Sequence, residues 1–157
     1  MLDTSLRGKK LPAHTFEVEK GRLRFFAKAT GQTDPVYTDE AAAHRAGYPS
    51  LPVPPTFFFC MGMESPHFHD FHNALRLNMQ RILHGEQSFV YHRMAFAGDR
   101  LTFEPEIADV YDKRNGALEF AVKHTRVTNA RGEHVADLRE VLVQPGNGRA
   151  SGAGAQA

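Results

Sequence analysis

The apolar positions change period once along the chain, near its middle. In the first half the spacing is helical or irregular. Residues 15–19 alternate briefly and predict a short strand. Over residues 20–30, Leu23, Phe26, Ala27 and Thr30 recur at helical spacing, and Gly31 suits the stop. Asp34-Pro35 imposes an extended or turn geometry on the next segment. Thr38 or Asp39 can then cap a short helix over residues 40–46, ended by Gly47. Pro52, Pro54 and Pro55 force residues 51–55 to be extended. Residues 56–63, TFFFCMGM, have no polar face, which predicts a buried helix with Thr56 at its start. Residues 66–80 are His-rich and irregular, with a possible helical turn at 73–79.

The second half alternates. Residues 86–94, 100–111, 117–128 and 133–144 read as strands, most clearly where Leu118, Phe120 and Val122 alternate with Glu119 and Lys123. Gly98-Asp99, Arg114-Asn115-Gly116 and Asn129-Ala130-Arg131-Gly132 supply the turns. Helices segregated from four consecutive antiparallel strands make an α+β class. The natural packing bends the sheet around the apolar helix. Such a sheet keeps an unpaired edge, and pairing it with a second copy or a related chain removes that liability.

Length and composition narrow the class. The chain has 157 residues, enough for one domain with a real core. A single domain over residues 1–144 is expected, opened by a loose segment over residues 1–12. Residues 145–157 are rich in Gly and Ala and lack large apolar side chains, so a disordered tail is expected there. Nineteen basic against eighteen acidic residues leave a net charge of +1, which gives no electrostatic footprint for nucleic acid or an anionic membrane. One cysteine, Cys60, rules out an internal disulfide and fits a reducing compartment. The first residues lack an apolar core of a secretory signal, so a soluble cytoplasmic protein is expected.

Several stretches resemble the MaoC-like hydratase/dehydratase family, in its N-terminal-type domain. The first is residues 25–39, FFAKATGQTDPVYTD. Ala46-Gly47-Tyr48 with Val53-Pro54-Pro55-Thr56-Phe57 follows, then Leu83-His84-Gly85-Glu86-Gln87, Tyr91-His92-Arg93 and Ala97-Gly98-Asp99. Together they span residues 14–144 in family order. The resemblance implies a hot-dog fold and (R)-specific hydration of enoyl thioesters of CoA or acyl carrier protein, or the reverse dehydration, with no cofactor. It also implies an acyl thioester ligand and a homodimer, or a heterodimer with a second MaoC-like chain.

The departures from the family bear on chemistry. Catalytic members carry an Asp and a His five residues apart in the first motif. Those positions here are Gln32 and Tyr37. Gln has no titratable proton, and a phenol titrates near 10, far from a working base at neutral pH. Tyr37 can hydrogen-bond a thioester or water, or simply cap a loop. Asp34 is the loop's only carboxylate, placed either at the substrate or in an Asx turn before Pro35.

Elsewhere, His84 and Glu86 are two apart on an expected strand. Such residues share a face, which makes them the best alternative acid–base pair. The start of the apolar helix at Thr56, Phe57 and Phe58 offers backbone N–H groups to a thioester carbonyl. His67, His69 and His72 read as a solvated loop, and no metal site is expected. Cys60 reads as a small core residue, and no Gly-x-Ser-x-Gly elbow is present.

Two functions from different classes remain. One is an enoyl-thioester hydratase or 3-hydroxyacyl-thioester dehydratase, acting as a subunit that lacks the usual dyad. The other is a non-catalytic acyl-CoA-binding partner of a catalytic hot-dog chain. A hot-dog thioesterase is a third reading that rests on fold alone.

Overall fold

The computed structural model describes residues 1–146. A short strand β1 (His14–Glu17) leads to helix α1 (Lys20–Ala29). Short helices α2 (Glu40–Arg45), α3 (Phe57–Met63) and α4 (Asp70–Ala74) follow. Four strands complete the order: β2 (Leu83–Tyr91), β3 (Arg100–Lys113), β4 (Leu118–Asn129) and β5 (His134–Pro145). The expected 73–79 turn lies earlier, in α4. Residues 92–94, expected in the first long strand, lie beyond its end.

The five strands form one antiparallel sheet in the order β1-β3-β4-β5-β2. The hairpin turns match their residue chemistry. Arg114 and Asn115 both take positive φ between β3 and β4. Between β4 and β5, Asn129 Oδ1 accepts the N–H groups of Arg131 and Glu133. α3 lies on the sheet through Phe57, Phe58 and Met61, which pack with Leu101, Phe103, Val127 and Leu138. Phe57 and Phe58 are each 2% exposed and Met61 is fully buried. Burial of each such side chain is worth ~1.5–3 kcal/mol. This is the α+β hot-dog arrangement, a bent sheet around a central helix.

The sequence predicts burial all round, but one side of the helix is open. Phe59 and Cys60 are half-buried, and Met63 is 48% exposed. Thr56 sits at the N-cap position, but its hydroxyl makes no cap bond; the Phe57 N–H bonds to the Pro54 carbonyl instead. The proline run has already set the turn that a capping side chain would otherwise hold.

The opening residues are not loose. Leu2 is buried and donates its N–H to Glu119. Gly8, Lys9 and Leu11 exchange backbone hydrogen bonds with Ile107 and Pro105 of β3. Leu2 and Leu11 pack with Phe71, Leu75 and Ile107 in a second apolar cluster, so burial outweighs the entropy of ordering the segment. Of the expected tail, Pro145 ends β5, and residues 147–157 lie outside the described residues. Among the described residues no helix is long and apolar enough to cross a membrane.

Candidate functional site

Tyr37 owes its position to the chain reversal after α1. Gly31 takes φ +70°, and the Gln32 N–H returns to the Ala27 carbonyl. The Gln32 side-chain oxygen then accepts the Asp34 N–H at 3.0 Å. Asp34 Oδ1 accepts the Val36 N–H at 3.1 Å and caps a 3₁₀ turn, Pro35–Tyr37. Asp34 is therefore an exposed capping residue, with its carboxylate committed to the turn that presents Tyr37. Gln32 is exposed and serves the same loop.

A pocket of about 330 Å³ opens beside this turn, lined by Tyr37, Val53, Pro55, Phe58, Tyr91 and the segment from His92 to Ala95. Its walls are largely aromatic and aliphatic, with two phenols, an imidazole and a guanidinium. The Tyr91 hydroxyl donates to the Pro55 carbonyl at 2.5 Å, and its ring packs on Phe58 and stacks on Phe89. Burial pushes the Tyr91 phenol up to about 12, so it is neutral at physiological pH. The pocket lining holds no carboxylate, serine or cysteine.

The structure brings Tyr37 and Phe58 together here, and it places the other candidates elsewhere. Phe57 is core, against Phe16 and Phe26. Thr56 is exposed. The backbone donors expected at the start of α3 are partly used: Phe57 N–H bonds to Pro54 and Phe59 N–H to Thr56.

His84 and Glu86 do not form a pair. The β2–β5 register slips between them, with Gly85 as the extra residue. His84 Nδ1 lies 3.5 Å from Glu140, whereas Glu86 meets Arg139 at 2.5 Å. Glu140 and Arg139 are neighbours on a regular strand and so point to opposite faces, and their partners do likewise. His84 is also absent from the pocket lining.

A second cavity of about 50 Å³ lies beyond Phe59; its lining includes His67 and, among apolar side chains, polar residues that the sequence did not mark. Lys123 and Glu140 are directly opposite on β4 and β5 and pair at 2.5 Å, largely shielded from water. His14 and Gln87 line the same space, and the His14 Nδ1 and Gln87 Oε1 atoms are buried without partners. Burial holds the His14 imidazole below its usual range. On the sequence each of these looks like an ordinary strand residue; only cross-strand register joins them. The space suits a water or two rather than an acyl chain.

The remaining chemistry-bearing side chains fall out simply. His67 approaches Asp70 at 3.3 Å, and His72 is buried against Phe68 and Phe71. Among the described residues neither joins a metal-type cluster with His69. Burial raises the thiol of the half-buried Cys60, which packs at the edge of the core rather than inside it.

The fold has known counterparts. Residues 5–138 match the family described as FAS1-like, dehydratase domain region. The chain belongs to this family of MaoC-like hot-dog dehydratase domains. A UPF0336 protein of Saccharopolyspora erythraea is 33% identical over 152 residues, 92% of this chain and 92% of the relative. Among solved structures, the C-terminally truncated HadBC (3R-hydroxyacyl-ACP dehydratase) complex of Mycobacterium tuberculosis contains a similar chain. It is 30% identical with a TM-score of 0.73, over 87% of this chain and 96% of that one. The ChsH1–ChsH2 complex of the same organism shares the fold, at 19% identity and a TM-score of 0.69 over 88% and 89% of the two chains.

Proposed function

We propose that this chain is the acyl-holding subunit of a two-chain, (R)-specific enoyl-thioester hydratase or 3-hydroxyacyl-thioester dehydratase. A partner hot-dog chain supplies the general acid–base groups. One observation supports this reading: the positions that the motif resemblance matches to the family's Asp and His carry Gln32 and Tyr37, and Gln32 is spent on its own loop.

Hydration places a hydroxyl on C3 of the enoyl group and a proton on C2. It needs one group to deprotonate water and one to orient it. Tyr37 can orient, and the one imidazole in the lining, His92, is already engaged through Nε2 with Asp137 outside the pocket. What the pocket offers is apolar area for an acyl chain, from Val53, Phe58 and Met94, and hydroxyl or cationic groups at its rim, from Tyr37 and Arg93. No cofactor enters this chemistry.

The likeness to a chain of the HadBC complex supports a second subunit, as does the free edge. Among the described residues β2 pairs only with β5, and Leu83, Val90 and Met94 along or just beyond it are more than half exposed. A partner strand on that edge would satisfy its backbone groups and cover those side chains. The thioesterase reading gains nothing, because the pocket holds no nucleophile.

The test is turnover of an enoyl-CoA by the purified chain, alone and with a MaoC-like chain that carries both Asp and His. The expected result is negligible hydration alone and strong hydration by the pair. Strong turnover by the isolated chain overturns the proposal. Release of free CoA would restore the thioesterase.

A further inference from the structure

On the outer face of the sheet, next to the pocket and sharing His92 with its lining, three imidazoles converge on one carboxylate. His92 follows β2, His124 is on β4, and His134 and Asp137 are on β5. His92 Nε2 lies 2.8 Å from Asp137 Oδ2. His124 Nε2 and His134 Nε2 lie 3.2 and 3.0 Å from Oδ1. The His92 and His134 rings are 4.1 Å apart between centroids.

Ordinary ion pairing accounts poorly for this cluster. Two imidazolium rings at that separation would repel, and one carboxylate neutralises only one of them. The His134 Nε2 atom is buried and has no aligned hydrogen bond, although Oδ1 is near. Arg126 stands opposite Asp137 in the strand register but makes no ion pair among the described residues. The other nearby cations are engaged elsewhere: Arg139 by Glu86, and Arg93 and Arg131 by Glu133.

We propose that His92, His134 and Asp137 bind a divalent transition-metal ion of the zinc class. The donor atoms of these three lie within 4.8 Å of one another. A tetrahedral zinc site with N and O ligands spaces its donors roughly 3.3 Å apart, close to the separations already present around Asp137. Neutral imidazole nitrogen with a carboxylate is a zinc-type donor set. The ion takes the place of protons that the rings would otherwise have to share. His124 acts from outside the triad. Its Nε2 holds the Asp137 carboxylate, while its Nδ1 faces Glu106 at 3.7 Å. The bound ion ties the end of edge strand β2 to β5, and it does so at His92, which also lines the pocket.

The test uses the untagged full chain, freed of metal, with Zn²⁺ in competition against a chromophoric chelator and with Co²⁺ alone for its visible ligand-field bands. The expected result is one ion per chain, with cobalt bands typical of low coordination. His92→Ala and Asp137→Asn should each abolish this binding, and circular dichroism should show both variants folded. His124→Ala should weaken binding by about 10–100-fold, as expected for an outer partner. A His67→Ala, His69→Ala double variant should bind as the wild type does. Absence of saturable binding overturns the proposal. So does binding that survives His92→Ala and Asp137→Asn, or binding that disappears in the His67, His69 double variant.

Discussion

The Tyr91 hydroxyl donates to the Pro55 carbonyl, and this bond joins the exposed edge strand to the turn that starts the central helix. The same phenol lines the pocket between Phe58 and the residues that follow β2.

Tyr91→Phe should therefore cost ~0.5–1.5 kcal/mol of stability, the usual worth of one such bond, measured by urea unfolding. The substitution also has a signature in base. The folded phenol titrates near 12 and an unfolded one near 10. Its contribution is intact below pH 10 and is lost as pH rises towards 12. Partial exposure shrinks the effect. Ultraviolet titration of the four tyrosines should show one lagging, and Tyr91→Phe should remove the laggard.

Asp34→Ala should lower stability by ~0.5–2 kcal/mol through loss of the cap on the Pro35–Tyr37 turn. In the proposed two-chain complex its effect should appear in KM rather than kcat, because the carboxylate positions Tyr37 and does not react. A kcat collapse with KM unchanged would contradict this placement.

The family dyad can be built at the positions that the motif resemblance assigns to it. Gln32→Asp with Tyr37→His should raise hydration of an enoyl-CoA by the isolated chain, since each acid–base group typically contributes ~10²–10⁴-fold. His84→Ala should leave the turnover of the proposed two-chain complex unchanged, because His84 lies outside the pocket and pairs with Glu140. A large loss on His84→Ala would show that the reacting centre lies at the other end of β2.

Acid should loosen the opening segment. Burial opposes ionisation of Glu119, but hydrogen bonds led by Gln144 and including Leu2 hold its carboxyl below the ordinary value. A carboxyl lowered on folding contributes stability above its ordinary value of 4.5, and that contribution is lost as pH falls below it. Urea unfolding at pH 7 and pH 4 should show a smaller acid loss in Glu119→Gln than in the wild type.

The periodicity carried the fold because it is a local property. Leu23 and Ala27 are buried at helical spacing, and the hairpin turns fall at the Gly- and Asn-bearing segments expected of them. The opening residues were misread for the opposite reason. Met1 to Lys10 is polar on average, and its two anchors, Leu2 and the Gly8 N–H, find their partners on β4 and β3, about a hundred residues away.

The sequence by itself determined the class, the strand number, the central helix and the identities at Gln32 and Tyr37, since periodicity and residue type need no knowledge of neighbours. Tertiary structure decided which side chains meet. A single extra residue at Gly85 sends His84 and Glu86 to opposite faces, because side chains alternate with period two and one insertion reverses the phase. Cross-strand register alone joins Lys123 to Glu140, and it gathers His124, His134 and Asp137 with His92, while the close-spaced histidines of residues 67–72 stay apart. Contacts between residues far apart in the chain are fixed by pairing between strands, and no local pattern encodes that pairing.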